Sequence, residues 1–262
     1  MSDQTDADAR LRAVFLDVGG TIMRPHPSWE HVYEIALAEY GVEIEMEALR
    51  EALRRQYQHG GWGFNEGFEP TEENSFRRTV ELDRAALQAL GVRDLPDTFY
   101  RRLGELFMLT STWHVFPDTY TALDGLKERG LIVGALSNWV WNLPELLHAL
   151  DLVSHFDFIA ASARIGFEKP RPEIFRHALA QAGVEPAEAI HVGDHLEADV
   201  GGARQLGIGA VLIDRDGHYA DAPVPDDVPV VKSLEDLLPI VDARLATAPE
   251  PVSPAAGEAA AS

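Results

Sequence analysis

The sequence predicts an α/β fold, a doubly wound parallel sheet core with an inserted all-α cap subdomain. Two observations lead to this prediction. A short apolar run near residue 13 has the character of a strand, and strand-like and helical segments alternate from residue 117 onward. This alternation is typical of a parallel sheet with right-handed crossovers. Residues 24–113 carry helical patterns with no strand between them. We therefore expect residues 11–23 and 114–246 to form the core and residues 24–113 to form the cap.

The first half of the chain holds one predicted strand and the predicted cap helices. An apolar run over residues 13–16 is followed by Asp17 and a glycine pair, as in a buried strand that stops at a sharp turn, and it predicts a strand over residues 12–17. Amphipathic spacing and glycine breaks predict the cap helices at residues 29–40, 46–58, 72–90 and 97–109.

The second half of the chain alternates predicted helices and strands. Apolar runs predict strands at residues 131–136, 156–161, 189–192, 209–213 and 228–231. Helices are predicted before, between and after them, at residues 118–129, 143–150, 172–182, 197–206 and 234–245. Residues 1–10 are polar, and residues 247–262 are rich in Ala, Pro and Glu without periodicity. Both ends are therefore predicted to be disordered.

Composition narrows the classes of function. The formal net charge is −21, because 43 acidic residues outnumber 22 Lys and Arg residues, and we therefore expect no nucleic-acid partner. No apolar run approaches the roughly 20 residues that span a bilayer, and the first ten residues lack the apolar core of a signal peptide. We expect a cytoplasmic protein without membrane contact. The absence of cysteine excludes disulfides, thiolate metal sites and thiol nucleophiles.

Polar clusters follow the ends of the predicted parallel strands or lie near them. Because the carboxyl ends of parallel strands meet at one edge of a sheet, we expect these clusters to converge there. Taken singly, each has a plain structural interpretation, such as a helix N-cap or a solvated charge. Taken together they predict a functional site. The clusters are Asp17 with Thr21, Ser137 with Asn138, Lys169, and Asp194 with Asp199.

The order of these clusters resembles the motifs of the haloacid dehalogenase-like superfamily, in the branch with a helical cap inserted after the first motif and a Rossmann-like core. Asp17-x-x-Gly20-Thr21 resembles the first motif and Ser137-Asn138 the second. The third and fourth motifs together are quite specific, and they are matched by Lys169-Pro170-x-Pro172-x-x-Phe175 and by Gly193-Asp194-x4-Asp199. The resemblance covers residues 13–213.

The resemblance implies a Mg²⁺-dependent hydrolase, most often a phosphatase, that acts on a small phosphorylated metabolite. Asp17 would be the catalytic nucleophile, with Ser137 and Lys169 binding the phosphate oxygens. The other substrate-binding residues implied are Thr21 and Asn138. The metal site implied comprises Asp17, the backbone carbonyl of Gly19, Asp194 and Asp199, the last of which supports its loop. Carboxylates and a carbonyl are ligands that Mg²⁺ prefers, and a cation lets a carboxylate approach a dianionic phosphate.

Gly19 departs from the pattern of the family's phosphatases, which place a second Asp two residues after the nucleophile. That Asp protonates the leaving group and then activates water, and such a group is worth about 10²–10⁴ in rate. The acid could come from elsewhere, with His195 or His59 as candidates, or the chain could be a slow or non-catalytic protein that binds a phosphorylated ligand or a protein partner. A dehalogenase is a further alternative, but dehalogenases need no metal and carry Ser-x-Asn where Asp194 stands.

Overall fold

The structure is a computed structural model that describes residues 9–58, 67–220 and 222–246. Its strands are β1 (Ala13–Leu16), β2 (Met23–Pro25), β3 (Trp113–Val115), β4 (Ile132–Ser137), β5 (Phe158–Ala161), β6 (Ala189–Gly193), β7 (Gly209–Ile213) and β8 (Val230–Val231). Its helices are α1 (Trp29–Glu39), α2 (Met46–Gln58), α3 (Glu72–Ala89), α4 (Asp97–Phe107), α5 (Asp118–Glu128), α6 (Leu143–Ala149), α7 (Ser162–Ile165), α8 (Pro172–Ala182), α9 (Gly202–Arg204) and α10 (Leu237–Ala246). A π-helix, Leu196–Gly201, precedes α9.

Six strands form one parallel sheet in the order β5-β4-β1-β6-β7-β8. Strand β1 lies in the middle, and its last residue, Leu16, pairs with Ala135 on one side and Val192 on the other. The strand order therefore reverses around β1, and such a switch point is where ligands bind in open α/β sheets. The predicted doubly wound parallel fold is confirmed.

The central strand is buried on both faces because helices cover both sides of the sheet. Val14 and Leu16 pack into one apolar cluster, with residues of α5 and α6, while Phe15 packs into another with Phe175 of α8. This alternation follows from the two-residue period of a strand. Apolar residues at every position are expected for a parallel strand that meets helices on both faces.

Helices α1–α4, which lie in the segment predicted to form the cap, have an apolar cluster of their own, which includes Val32, Leu37, Phe99 and Leu103. The sequence-based expectation that residues 24–113 contain no strand is wrong at both borders. Strands β2 and β3 pair antiparallel, with Met23 opposite Val115, and this ribbon joins the cap to the core. Each strand has only three residues, too few for alternating hydrophobicity to reveal it.

Other differences from the predicted elements are small. The helix predicted at residues 197–206 is a π-helix followed by one short α-helical segment, α9. Of the residues predicted to be disordered, 1–8 and 247–262 lie outside the described residues. His59, a candidate for the missing acid, also lies outside them. Within the described part of the chain, no helix combines the length and apolar character that crossing a membrane requires.

Candidate active site

The carboxylate of Asp17 lies at the end of β1 and is hydrogen-bonded to two of the predicted partners. Ser137 Oγ, at the end of β4, donates to Asp17 Oδ1 at 2.9 Å, and Lys169 Nζ donates to the same oxygen at 2.6 Å. Lys169 Nζ also donates to Asp199 Oδ1 at 2.5 Å. All four side chains are buried. The structure therefore brings residues from four separate parts of the chain into one buried charge network.

The side chain of Asn138 holds the backbone of Lys169. Asn138 Oδ1 accepts a hydrogen bond from the Lys169 N–H at 2.7 Å, and Asn138 Nδ2 donates to the Lys169 carbonyl at 2.9 Å. This two-point contact fixes where the lysine side chain begins. Both ends of the Asn138 amide contact the backbone of Lys169 in this structure. The contact of Asn138 with substrate remains a prediction.

Asp199 is held at both of its carboxylate oxygens. Besides Lys169, Oδ1 contacts His191 Nε2 at 2.9 Å, and Oδ2 accepts the backbone N–H of His195 at 2.9 Å. His191 lies on β6 and is buried, and no sequence pattern marked it as part of the site. The imidazole Nδ1 of His195 accepts the N–H of Ala198 at 3.1 Å, so its Nε2 carries the proton of the neutral ring.

Carboxylates outnumber cations in this cluster, and the pKa shifts reflect that imbalance. Burial and the charge of Asp199 raise the pKa of Asp17 against the lowering effect of Lys169. Burial, Asp17 and Asp199 raise the pKa of Asp194 well above its usual range. Burial alone would raise the pKa of Asp199, but Lys169 and His191 lower it. Burial alone would lower the pKa of Lys169, but its contacts with Asp17 and Asp199 raise it. Lys169 is therefore charged, and negative charge remains in excess.

The carboxylate oxygens of Asp17, Asp194 and Asp199 can approach one another within 4.8 Å, close enough to share one metal ion. Ser137 and Lys169 both donate to Asp17 Oδ1, and no donor among the described residues contacts Asp17 Oδ2. The excess negative charge and the all-oxygen donors suit a hard divalent cation such as Mg²⁺. The residues present therefore fit the metal that the sequence motifs imply.

Two glycines make room for the acidic side chains. Gly20 has a φ of +78°, and a Cβ there would lie 2.1 Å from Asp194 Oδ2. A Cβ at Gly193 would lie 2.2 Å from Asp199 Cγ. Gly19 is different, because its φ is outside the left-handed region and its Cβ would meet only Trp139 Cζ3, at 3.3 Å. A side chain at position 19 would therefore point at the indole ring of Trp139.

A cavity of about 1040 Å³ extends from these strand ends to helices α1–α4. Among the aromatic side chains that line it are four neighbouring rings, which we call the aromatic wall: Trp29, Phe107, Trp113 and Trp139. Neighbouring ring centroids of the wall lie 5.2–6.3 Å apart. No sequence pattern indicated this wall, since its members come from α1, from α4, from β3 and from the loop after β4.

Thr21, which the sequence motif places on the substrate side, is fully buried, and its hydroxyl has no hydrogen-bond partner among the described residues. Its backbone carbonyl accepts hydrogen bonds from Arg215, at 2.7 Å from Nη2 and 3.1 Å from Nε. Arg215 also pairs with Asp118 and lies over the ring of Phe116, 3.8 Å from its centroid. Arg215 thus holds the turn after the nucleophile, a role that sequence reasoning missed.

Replacing Thr21 by Val is expected to raise the free energy of unfolding by about 1 kcal/mol, because it removes a buried hydroxyl that is unpaired. Chemical denaturation measures this change. Thr119 is the matched control, since it is equally buried but donates to the Ile22 carbonyl at 2.8 Å, and Thr119→Val should lower stability by about the same amount. A weaker affinity for phosphate in Thr21→Val would instead support the predicted substrate contact.

Comparison with known proteins gives a consistent answer. The model of the haloacid dehalogenase-like hydrolase family matches residues 11–207. The chain is 32% identical to haloacid dehalogenase-like hydrolase domain-containing protein 3 of Bos taurus, over 89% of this chain and 94% of that protein. It is 29% identical to phosphoserine phosphatase of Thermus thermophilus, over 84% of this chain and 95% of that protein.

A solved structure of a dehalogenase superposes with a TM-score of 0.64 and 26% identity, covering 88% of this chain and 96% of that one. Proteins named for two different reactions are thus similar to this chain over most of its length. The family match extends over most of the chain and includes Asp17, Ser137, Lys169 and Asp194. The chain belongs to the haloacid dehalogenase-like hydrolases.

Proposed function

We propose that this hydrolase is a Mg²⁺-dependent phosphatase of a small phosphorylated substrate, which forms an aspartyl-phosphate at Asp17. The observation that carries the proposal is that carboxylate oxygens of Asp17 and Asp194 lie within 4.8 Å of each other, in a cluster where Lys169 is the buried ammonium group. This cluster has excess negative charge of its own, and a phosphate dianion would add more. It therefore calls for a divalent cation, which phosphoryl transfer uses. The name of the Thermus relative agrees with this chemistry.

In the proposed reaction, Lys169 and Ser137 donate hydrogen bonds to the phosphate oxygens and orient the phosphorus toward Asp17. A carboxylate oxygen of Asp17 attacks phosphorus, and the bond from phosphorus to the leaving-group oxygen breaks with its electron pair on that oxygen. Water then attacks the phosphorus of the aspartyl-phosphate, and the bond from phosphorus to the Asp17 oxygen breaks with its electron pair on the carboxylate. The attacking water loses its proton to solvent, and inorganic phosphate leaves. Positioning and charge stabilisation suffice for most of phosphoryl-transfer catalysis, so few residues are needed.

The metal would be held by the carboxylates of Asp17 and Asp194 and the carbonyl of Gly19. When bound, Mg²⁺ offsets the charge of the incoming phosphate and polarises a phosphoryl oxygen. Asp199 would support the site without being a direct ligand of the metal, because Lys169, His191 and the backbone of His195 already occupy both of its oxygens. It orients Lys169 and the loop that carries Asp194.

Dehalogenation is the competing reaction, and the dehalogenase superposition is the observation in its favour. Displacing halide from a neutral carbon creates no dianion next to the attacking carboxylate, so that reaction has no use for a second carboxylate such as Asp194. We therefore favour the phosphatase. Release of halide from 2-haloacids in the presence of a chelator would favour dehalogenation instead.

The direct test measures phosphate release from a panel of acyl, aryl, alkyl and sugar phosphates, with Mg²⁺ or with a chelator. We expect turnover that requires Mg²⁺ and is lost in Asp17→Asn. Full activity in chelator would contradict the metal assignment. Thermal stabilisation by phosphorylated ligands with no turnover on any of them would identify the chain as a binding protein.

Replacing Lys169 by Met is expected to lower kcat/KM for acetyl phosphate by about 10²–10³, because the phosphate loses its fixed counter-charge. Lys169→Arg should recover only part of the activity, since a planar guanidinium does not replace a compact ammonium.

Lys127→Met is the matched control for this loss. Lys127 pairs with Asp157 at the surface, 2.6 Å from Oδ1, so this variant should retain wild-type kinetics. Circular dichroism establishes that each variant is folded. Unchanged kinetics in folded Lys169→Met would remove Lys169 from the site.

A further inference from the structure

We propose that the aromatic wall binds the leaving group of the substrate and that this leaving group is an aromatic ring, so that the substrate class is an aryl phosphate. The proposal rests on the phosphatase function above. It assigns a role to four side chains that neither the motifs nor the reaction chemistry uses. Its starting point is the position of the wall: Trp29, Phe107, Trp113 and Trp139 border the same cavity as Asp17, Ser137 and Lys169.

Trp139, the member of the aromatic wall next to Gly19, lies beside the expected position of the leaving group. In phosphatases that carry a second Asp, the side chain two residues after the nucleophile reaches the leaving-group oxygen. At the corresponding position here, a Cβ on Gly19 would meet Trp139 Cζ3 at 3.3 Å. The space beside the leaving-group oxygen is therefore bordered by an indole ring instead of a carboxylate. A leaving group attached to that oxygen extends along Trp139 toward Trp113 and Trp29.

The wall is fixed in place and keeps an accessible side. Trp113 donates its indole N–H to the Phe107 carbonyl at 2.8 Å, and the backbone of Trp139 exchanges hydrogen bonds with the Ser162 hydroxyl. Trp113 and Trp139 are buried, whereas Trp29 is 39% exposed. Trp29 is the first residue of α1, directly after its N-cap Ser28. A large apolar side chain that stays exposed beside a catalytic cluster is suited to cover a ligand.

The ring spacing favours a flat aromatic group over a cation. An aromatic cage for an ammonium group needs rings separated widely enough to surround it. Here Trp113 and Trp139 have centroids 5.2 Å apart, and Trp29 and Trp113 have centroids 5.5 Å apart at an interplanar angle of 86°. At these distances the rings contact one another and leave no space between them. They form a surface on which a further ring can pack, by stacking or edge to face.

An aryl leaving group also matches the chemistry available at Gly19. When Asp17 attacks phosphorus, the bond between phosphorus and the aryl oxygen breaks, and its electron pair becomes the phenoxide lone pair. The phenoxide delocalises this charge and takes its proton from water, so no general acid is needed at the moment of cleavage. Water then hydrolyses the aspartyl-phosphate to inorganic phosphate. The absent carboxylate and the aromatic wall thus point to the same substrate class.

The first test measures binding without turnover. Calorimetry with Mg²⁺ present compares three non-hydrolysable probes: methylphosphonate, cyclohexylphosphonate and phenylphosphonate. We expect phenylphosphonate to bind about tenfold more tightly than methylphosphonate, and more tightly than cyclohexylphosphonate of similar size. Equal affinity for the phenyl and cyclohexyl probes would overturn the aromatic assignment. Equal affinity for all three would remove the wall from the binding site.

The second test uses Trp29→Ala, with Ile35→Ala as the matched control. Ile35 lies on the same helix and is also 39% exposed, but it does not border the cavity. We expect Trp29→Ala to lower the ratio of kcat/KM for phenyl phosphate over acetyl phosphate about tenfold, while Ile35→Ala leaves the ratio unchanged. An unchanged ratio in folded Trp29→Ala would overturn the proposal. Wild-type turnover of acetyl phosphate with a KM for phenyl phosphate no lower than the KM for acetyl phosphate would overturn the wall alone, and absence of turnover on both would overturn the phosphatase function with it.

Discussion

Asp194→Asn is expected to lower phosphatase activity at least about a thousandfold, because a divalent cation supplies several kcal/mol of charge stabilisation to the transition state. The side chain keeps its size but loses the charge that would hold the metal with Asp17. We also expect Mg²⁺ to stop raising the melting temperature of this variant. In the wild type, binding of Mg²⁺ to the folded state should raise it by mass action.

The same substitution should stabilise the metal-free protein. Burial and the neighbouring charges of Asp17 and Asp199 raise the pKa of Asp194, so its ionised form is less favourable in the folded chain than in the unfolded chain. At neutral pH that carboxylate therefore costs stability until a cation offsets it. Asparagine removes the cost. A gain of about 1 kcal/mol corresponds to about 2–4 °C in melting temperature for a chain of this size.

Thermal melts with chelator and with Mg²⁺, together with phosphate release, measure all three effects. Asp124→Asn is the matched control, because Asp124 is exposed on α5 and contacts only His155 among the described residues. It should leave activity and the Mg²⁺ response as they are in the wild type. If Asp194→Asn kept its activity, or if its metal-free melting temperature fell, the role assigned to Asp194 would be wrong.

Local motifs explain why most of the candidate site was predictable. Asp17, Ser137, Lys169 and Asp194 each follow or lie near an apolar strand within a short, recognisable pattern, and strand ends converge by topology alone. The identity of the residues and the edge of the sheet where they meet could therefore be inferred. Their contacts could not, because whether the Asn138 amide faces a substrate or the backbone of Lys169 depends on side-chain orientation.

Features assembled from distant segments were not predictable. His191 occupies an ordinary position on a buried strand, and only the fold shows that its ring contacts Asp199. Trp29 and Trp139 are far apart in the sequence and lie on helix α1 and in the loop after β4, yet their ring centroids are 6.3 Å apart. Each alone is typical of core packing. Their contact depends on how helix α1 lies against the loop after β4, which no local pattern shows.

Gly19→Asp is expected to raise turnover of alkyl phosphates by about 10²–10⁴, because it restores a general acid next to the leaving-group oxygen. The backbone permits the change, since Gly19 is not in the left-handed region. The new Cβ would lie 3.3 Å from Trp139 Cζ3, so the indole must move by a few tenths of an ångström. Aryl and acyl phosphates should gain much less, because their leaving groups depart without a proton.

The contribution of proton donation is isolated by plotting log kcat/KM against the pKa of the leaving group for the wild type, Gly19→Asp and Gly19→Asn. The wild type should show a steep slope, and Gly19→Asp a shallow one. Gly19→Asn fills the same space against Trp139 without an acid, so it should keep the steep slope. Equal gains in the Asp and Asn variants would mean that packing, not proton transfer, changed. A shallow slope in the wild type would mean that another group already donates the proton, and His195→Gln would then be the next variant to measure.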